Sequence, residues 1–262
     1  MKKTALNDFI DKQLDTVHRT DNPPSILFLI PAHNSTVTAP LLESLLEFSL
    51  FATNLGIAFN WIIDPYATII SLCRSQLISM ADELDDWTHV LFVDNDMGFE
   101  PLDVMRLVVA DQDIVAGVAP VKSYPLAENN ATNNVLEENK WGYKVLYTGT
   151  GFMMIKRHVV SEMMDHYRHA LAFEMPDGNY YEQTRVEYVD LFDTITSGAN
   201  EQDKRVYLTE DYAFCHRARE CGFEVWSHKN VKLTHTGMHT FSFNGEQDML
   251  ERYQLKGDIE VL

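Results

Sequence analysis

The run Leu91-Phe92-Val93-Asp94-Asn95-Asp96 constrains this chain more than any other segment. An apolar, β-branched stretch stops at two acids with one residue between them. A buried strand cannot carry two carboxylates onward without stranding charge in low dielectric. Asp94 and Asp96 therefore belong at its carboxyl end, in the crevice where α/β sheets take up ligands. Their oxygens suit Mg²⁺ or Mn²⁺ with coordination positions left for phosphate. The same spacing also serves as an Asx turn or a helix cap.

The surrounding pattern supplies the sheet. Runs at 26–30, 57–63, 89–93 and 114–118 read as strands. Between them lie helices opened by Pro40, carried by the apolar face Cys73, Leu77, Met80, Ala81 and Leu84, and opened by Pro101. This alternation predicts an α/β fold with a parallel, doubly wound sheet. With 262 residues, 45% of them hydrophobic, the chain fits one large domain. We expect an accessory helix in 1–24, one large domain over 25–240 (a nucleotide-binding type of half at 25–120 and a second half at 121–240), and a tail at 241–262. Residues 121–142 and 172–205 read as irregular, the first as a long functional loop.

Several classes are disfavoured. No Gly-rich phosphate loop of the dinucleotide or P-loop type follows a strand. The net charge of −18 speaks against nucleic acid or an anionic membrane as partner. The apolar region 41–59 is interrupted by Glu43, Glu47 and Asn54, so no transmembrane segment is expected. Cys73, Cys215 and Cys221 are too few and too irregularly spaced for a disulfide framework, and the N-terminus meets acids before any apolar run. The expected compartment is cytoplasmic.

Other residues can carry chemistry. Glu210-Asp211 opens a helix, where a carboxylate is either ordinary N-terminal charge or a general base for an acceptor hydroxyl. His235 sits at a strand end before Gly237, as an exposed or structural histidine or as a metal ligand. Arg74 is either a surface helix arginine or a cation for a diphosphate, and Lys122 can play the second part from its loop. Trp141, Tyr180 and Tyr181 either stack on sugar faces or pin loops.

Together, ILFLIPAHN, the Arg74 helix, HVLFVDNDMGFEP, DIVAGVAPVK, TGTGFMMIKR, YLTEDYAFCHRARECG and the late HTG resemble the GT-A glycosyltransferases. The likeness is to the family-2-like enzymes of bacteria, large viruses and phages. The resemblance implies a GT-A (Rossmann-like) fold, with a mostly parallel central sheet flanked by helices and a smaller mixed C-terminal part. It implies a sugar moved from a nucleotide-diphosphate sugar, UDP- or GDP-linked, to a hydroxyl of a glycan or other acceptor, with inversion. Asp94 and Asp96 would hold Mn²⁺ or Mg²⁺ with His235, or with His239 in its place. Asp211 would be the base and Glu210 would contact a sugar. Pro31, Ala32 and His33 would hold the nucleoside, Asn95 would lie with Asp94 at the donor, and Gly149, Thr150 and Gly151 would lie beside the donor sugar. The competing classes are an inactive carbohydrate-binding module of the same fold and a HAD-like phosphatase. The phosphatase pattern wants its acids on the first strand and Thr or Val after the second, whereas Met97 stands here.

Overall fold

The first strand is apolar on both faces. Leu27 and Leu29 point to one side of the sheet and Ile26, Phe28 and Ile30 to the other, and all five are buried. Such a strand needs cover on both sides. The computed structural model describes residues 23–122, 133–173, 187–199 and 205–237. In chain order, the first half comprises β1 (Ser25–Pro31), a 3-10 turn at His33–Ser35, α1 (Ala39–Leu55), β2 (Ala58–Asp64), α2 (Ile70–Asp82), β3 (His89–Val93), β4 (Met97–Phe99), α3 (Pro101–Ala110) and β5 (Ile114–Gly117). Then come β6 (Asn133–Glu138), β7 (Gly142–Tyr147), β8 (Phe152–Lys156), α4 (Arg157–Leu171), β9 (Ala172–Phe173), β10 (Tyr188–Val189), β11 (Ile195–Ala199), β12 (Arg205–Leu208), α5 (Glu210–Glu220), β13 (Val225–His228) and β14 (Leu233–His235).

Helices α1 and α3 bury Leu41, Phe48, Val104 and Met105 against one face of the sheet. Helices α2, α4 and α5 bury Leu77, Ile78, Val160, Met163 and Phe214 against the other. The helix ends follow local chemistry. Pro40 lies in the first turn of α1, and Gly56 closes that helix at φ 67°, a left-handed conformation favourable to glycine. Glu100 and Asp103 form a reciprocal capping box at the start of α3.

The main sheet has the order β2-β1-β3-β8-β5-β13-β7-β6. Strands β2, β1, β3, β5, β13 and β6 run one way, and β8 and β7 run the other. The fold is α/β with a mostly parallel central sheet. The purely parallel expectation for the first half needs correction, because β8 inserts antiparallel between β3 and β5, with Met154 opposite both Leu91 and Val115. Periodicity identifies a strand apolar on both faces, and FMMIK is one, but it does not say which neighbours that strand takes.

The irregular reading of 121–142 also needs correction over 133–142. β6 and β7 form a hairpin whose turn is held by Asn139 Oδ1, which accepts from the backbone N–H groups of Trp141 (2.8 Å) and Gly142 (2.9 Å). Val135 and Leu136 on β6 are exposed, so no hydrophobic alternation announces the strand. Within 172–205, β9 pairs β10 and β11 pairs β12. The strand read at 57–63 lies one residue later, and its last residue is the buried Asp64. No described helix is long and apolar enough to cross a membrane.

Two histidines set an acid limit on the fold. Burial, and then Lys156, pulls the His89 pKa down to about 4. Burial, and then Arg106, does the same to His228. His228 Nδ1 accepts from the Asn230 N–H at 3.1 Å, so the neutral ring carries its proton on Nε2, which is buried without a partner. The folded state binds these protons less readily than the unfolded chain. Stability is therefore full above the unfolded value near 6.5 and is lost as pH falls toward 4, by up to ~3 kcal/mol per histidine. Urea unfolding across that window should show the decline, and His228→Gln should flatten it.

Candidate active site

The D-x-D turn leaves β3 at its carboxyl end, as the buried strand requires. The Asp94 N–H donates to the Gly151 carbonyl at 3.0 Å, and the Met97 N–H donates to the Asp94 carbonyl at 3.1 Å. Arg74, projecting from α2, donates from Nη2 to Asp94 Oδ1 at 2.7 Å and from Nη1 to Glu210 Oε1 at 2.8 Å. It thereby joins a residue 20 positions away in sequence to one 136 positions away. Arg74 is 4% exposed and so is not a surface helix arginine. Burial works against its charge, but Asp94 and Glu210 outweigh it and hold the guanidinium above its ordinary pKa. Each Nη gives one N–H to a carboxylate, so Arg74 joins the two acidic segments.

Glu210 and Asp211 form the first turn of α5, where the helix dipole favours negative charge. Asp211 Oδ1 accepts from the Tyr212 N–H at 2.9 Å and from the Thr209 hydroxyl. Oδ2 is the oxygen turned toward Gly149, 3.9 Å from where a Cβ on that glycine would stand. On the same loop, a Cβ at Gly151 would come within 2.9 Å of Asp94 Oδ2. The Thr148–Gly151 loop thus runs between the two acidic segments, and its glycines give the carboxylates room. Thr148 and Thr150 of this loop are buried.

Asp96 belongs to a second group. β14 pairs antiparallel with β4, setting His235 opposite Met97, and the Thr236 N–H donates to the Asp96 carbonyl at 2.8 Å. The buried Asp103, ion-paired with Arg106, accepts from the Lys232 N–H at 3.1 Å and so fixes the approach to β14. His235 Nε2 lies 3.2 Å from Asp96 Oδ1, and Nδ1 lies 2.8 Å from the Pro120 carbonyl. Lys122 Nζ is ion-paired with Asp96 Oδ2.

The donor chemistry here fits a divalent cation. The Pro120 carbonyl takes Nδ1, and Nε2 is the ring nitrogen turned to the carboxylate, the usual orientation of a ligating histidine. Asp94 is turned toward Arg74, and among the described residues no three or more His, Cys, Asp or Glu gather as a ligand set.

The end of β1 and the loop after it carry Pro31, Ala32 and His33. The Ala32 N–H donates to the Asp64 carbonyl at 2.8 Å, and His33 Nδ1 lies 2.9 Å from the Ala67 carbonyl. His33 itself is exposed. Asn95 reaches into this loop from the D-x-D turn. Its Nδ2 donates to the Thr36 carbonyl at 2.8 Å, and its own carbonyl accepts from the Thr38 N–H at 2.9 Å. This bracing role, like those of Thr209 and Pro120, is invisible in sequence, because each depends on a partner brought in by the fold. Trp141 stacks on His228 with ring centroids 6.2 Å apart, which fits loop pinning. Tyr180, Tyr181, His239, the 1–22 part of the expected accessory helix and the 241–262 tail lie outside the described residues.

No protein-family model matches the sequence, and no curated protein matches it. Among solved structures, A197 from STIV is similar at TM-score 0.44 and 15% identity, over 85% of this chain and 99% of that one. The inositol-1-phosphate CTP transferase from T. maritima is similar at 0.42 and 8%, over 90% and 98%. The Drosophila β-1,4-galactosyltransferase 7, in complex with manganese, UDP-Gal and xylobiose, is similar at 0.40 and 13%, over 86% and 79%. These likenesses are too distant to assign an activity.

Proposed function

We propose that this chain is a GT-A-type glycosyltransferase that moves a sugar from a nucleotide-diphosphate sugar to an acceptor hydroxyl with inversion. One observation carries the proposal: Arg74 bridges Asp94 and Glu210, so the acids ending β3 and those opening α5 serve one site. A strand-end acid pair alone suits many ligands, but a second, separately oriented carboxylate beside it supplies a base.

Asp211 takes the proton of the acceptor hydroxyl through Oδ2, while Oδ1 stays held by Thr209 and Tyr212. The acceptor oxygen forms its bond to the anomeric carbon as the bond to the diphosphate oxygen breaks, from the opposite face, hence inversion. Asp96 and His235 would hold Mn²⁺ or Mg²⁺ with Asp94 beside them, and that ion would neutralise the departing nucleoside diphosphate as a Lewis acid. Pro31, Ala32 and His33 line the nucleoside side, and Asn95 braces that loop against the D-x-D turn. Gly149, Thr150 and Gly151, on the loop between the two acidic segments, lie beside the donor sugar.

A thermal-shift panel of UDP-, GDP-, CDP- and dTDP-sugars with and without Mn²⁺ tests this. One nucleobase should stabilise the protein, and only with the metal. Saturation near a hundredfold over Kd is worth about 2.7 kcal/mol, or roughly 5–10 °C at this chain length. No shift with any donor overturns the proposal.

A further inference from the structure

Both oxygens of Asp96 are engaged. Oδ1 faces His235 Nε2 at 3.2 Å and Oδ2 carries the Lys122 ammonium. Nδ1 faces the Pro120 carbonyl and Nε2 faces Oδ1, so the Asp96 carboxylate and the imidazole turn polar atoms to one place, and the carboxylate calls for positive charge there. Lys122 supplies it. Its side chain does not simply hang in solvent. A Cβ on Gly237 would lie 3.1 Å from Lys122 Cδ and 3.4 Å from Cγ, so the methylene stem runs against the turn that follows His235. Pro120 and Lys122 thus hold His235 and Asp96 from one short segment, and the ammonium at the end of that segment sits on the oxygen a metal would use.

We propose that Lys122 is a built-in competitor for the divalent cation at Asp96. The ammonium stands in for the ion until a nucleoside diphosphate, which offers it an alternative anionic partner, draws it away. This rests on the reading of the site as a cation-assisted transferase and adds a regulation to it. The protein alone binds the cation weakly, and cation and donor bind cooperatively, because the donor removes the competitor. Lys122 is 40% exposed and Asp96 24%, so the pair is in the range of exposed ion pairs, whose rupture changes affinity by up to about fivefold.

The test is Mn²⁺ binding to the full chain without nucleotide, followed by electron paramagnetic resonance of the free ion. Lys122→Met keeps the stem packed on Gly237 and removes the charge, and Lys122→Gln serves as a second variant should the first fold poorly. Both should bind Mn²⁺ roughly fivefold tighter than the unaltered protein, and saturating UDP should narrow the gap. Equal or weaker Mn²⁺ binding by both variants overturns the competitor role while leaving the transferase reading intact. Failure of every form to bind Mn²⁺, with UDP present or absent, overturns the cation-assisted reading and the competitor role with it.

Discussion

Asp211→Asn should lower turnover by about 10²- to 10⁴-fold, the usual worth of a positioned general base, and leave nucleoside-diphosphate affinity unchanged. The asymmetry of the carboxylate makes the substitution informative. An asparagine can keep its carbonyl oxygen where Oδ1 accepts from the Tyr212 N–H and the Thr209 hydroxyl, so the start of α5 stays in place. The amide nitrogen then replaces Oδ2, the oxygen turned toward Gly149, and has no lone pair for a proton. The turnover number at saturating donor and acceptor, together with calorimetric binding of the nucleoside diphosphate, separates the two effects. Unchanged turnover removes Asp211 from the base role, and loss of both turnover and nucleotide binding makes it a structural residue.

Glu210 stands beside Asp211 in sequence and differs from it in environment. Its Oε1 is taken by Arg74, so replacing it should show first in the integrity of the site. Adjacent acids in one helical turn look equivalent on paper. The distinction comes from a guanidinium on a helix formed 136 residues earlier, and no local pattern contains it.

The same reasoning marks how far the sequence could be read. The strand that stops at Asp94, the helix opened by Pro101 and the αL stop at Gly56 are all local, and the fold realises them. β4 and β14 are three residues each, too short for periodicity to register, yet their pairing brings His235 beside Asp96 across the length of the domain. The position of β8 depends on competition among several strands that are apolar on both faces. Arg74 shows the boundary most plainly. Its place on an amphipathic helix is legible, but its burial is not, because an arginine is ordinarily exposed unless two acids wait to receive it. The acids were visible, and the path that joins them was not.

Arg74→Met should cost about 3 kcal/mol of stability and lower the melting temperature by roughly 6–12 °C. Breaking a buried ion pair from one side typically costs 3–5 kcal/mol, and a chain of this length loses 2–4 °C per kcal/mol. The low end applies because Asp94 and Glu210 keep 30% and 21% of their side-chain exposure, so water can partly replace the lost partner, whereas Arg74 is 5% exposed on the same measure. Lysine should not restore the site. One compact ammonium cannot reproduce two separate Nη donors in a fixed plane, one for each carboxylate. Methionine fills much of the same volume, so the loss should come from charge and not from a cavity. Adding Glu210→Gln to Arg74→Met removes one of the two unpaired acids and should recover part of the melting temperature without recovering turnover, since Asp94 still lacks its partner. If the single variant melts with the unaltered protein, the bridge is not structural. If the double variant regains turnover as well as stability, the bridge does not position the donor side, and Asp94 keeps its place through the Gly151 carbonyl alone.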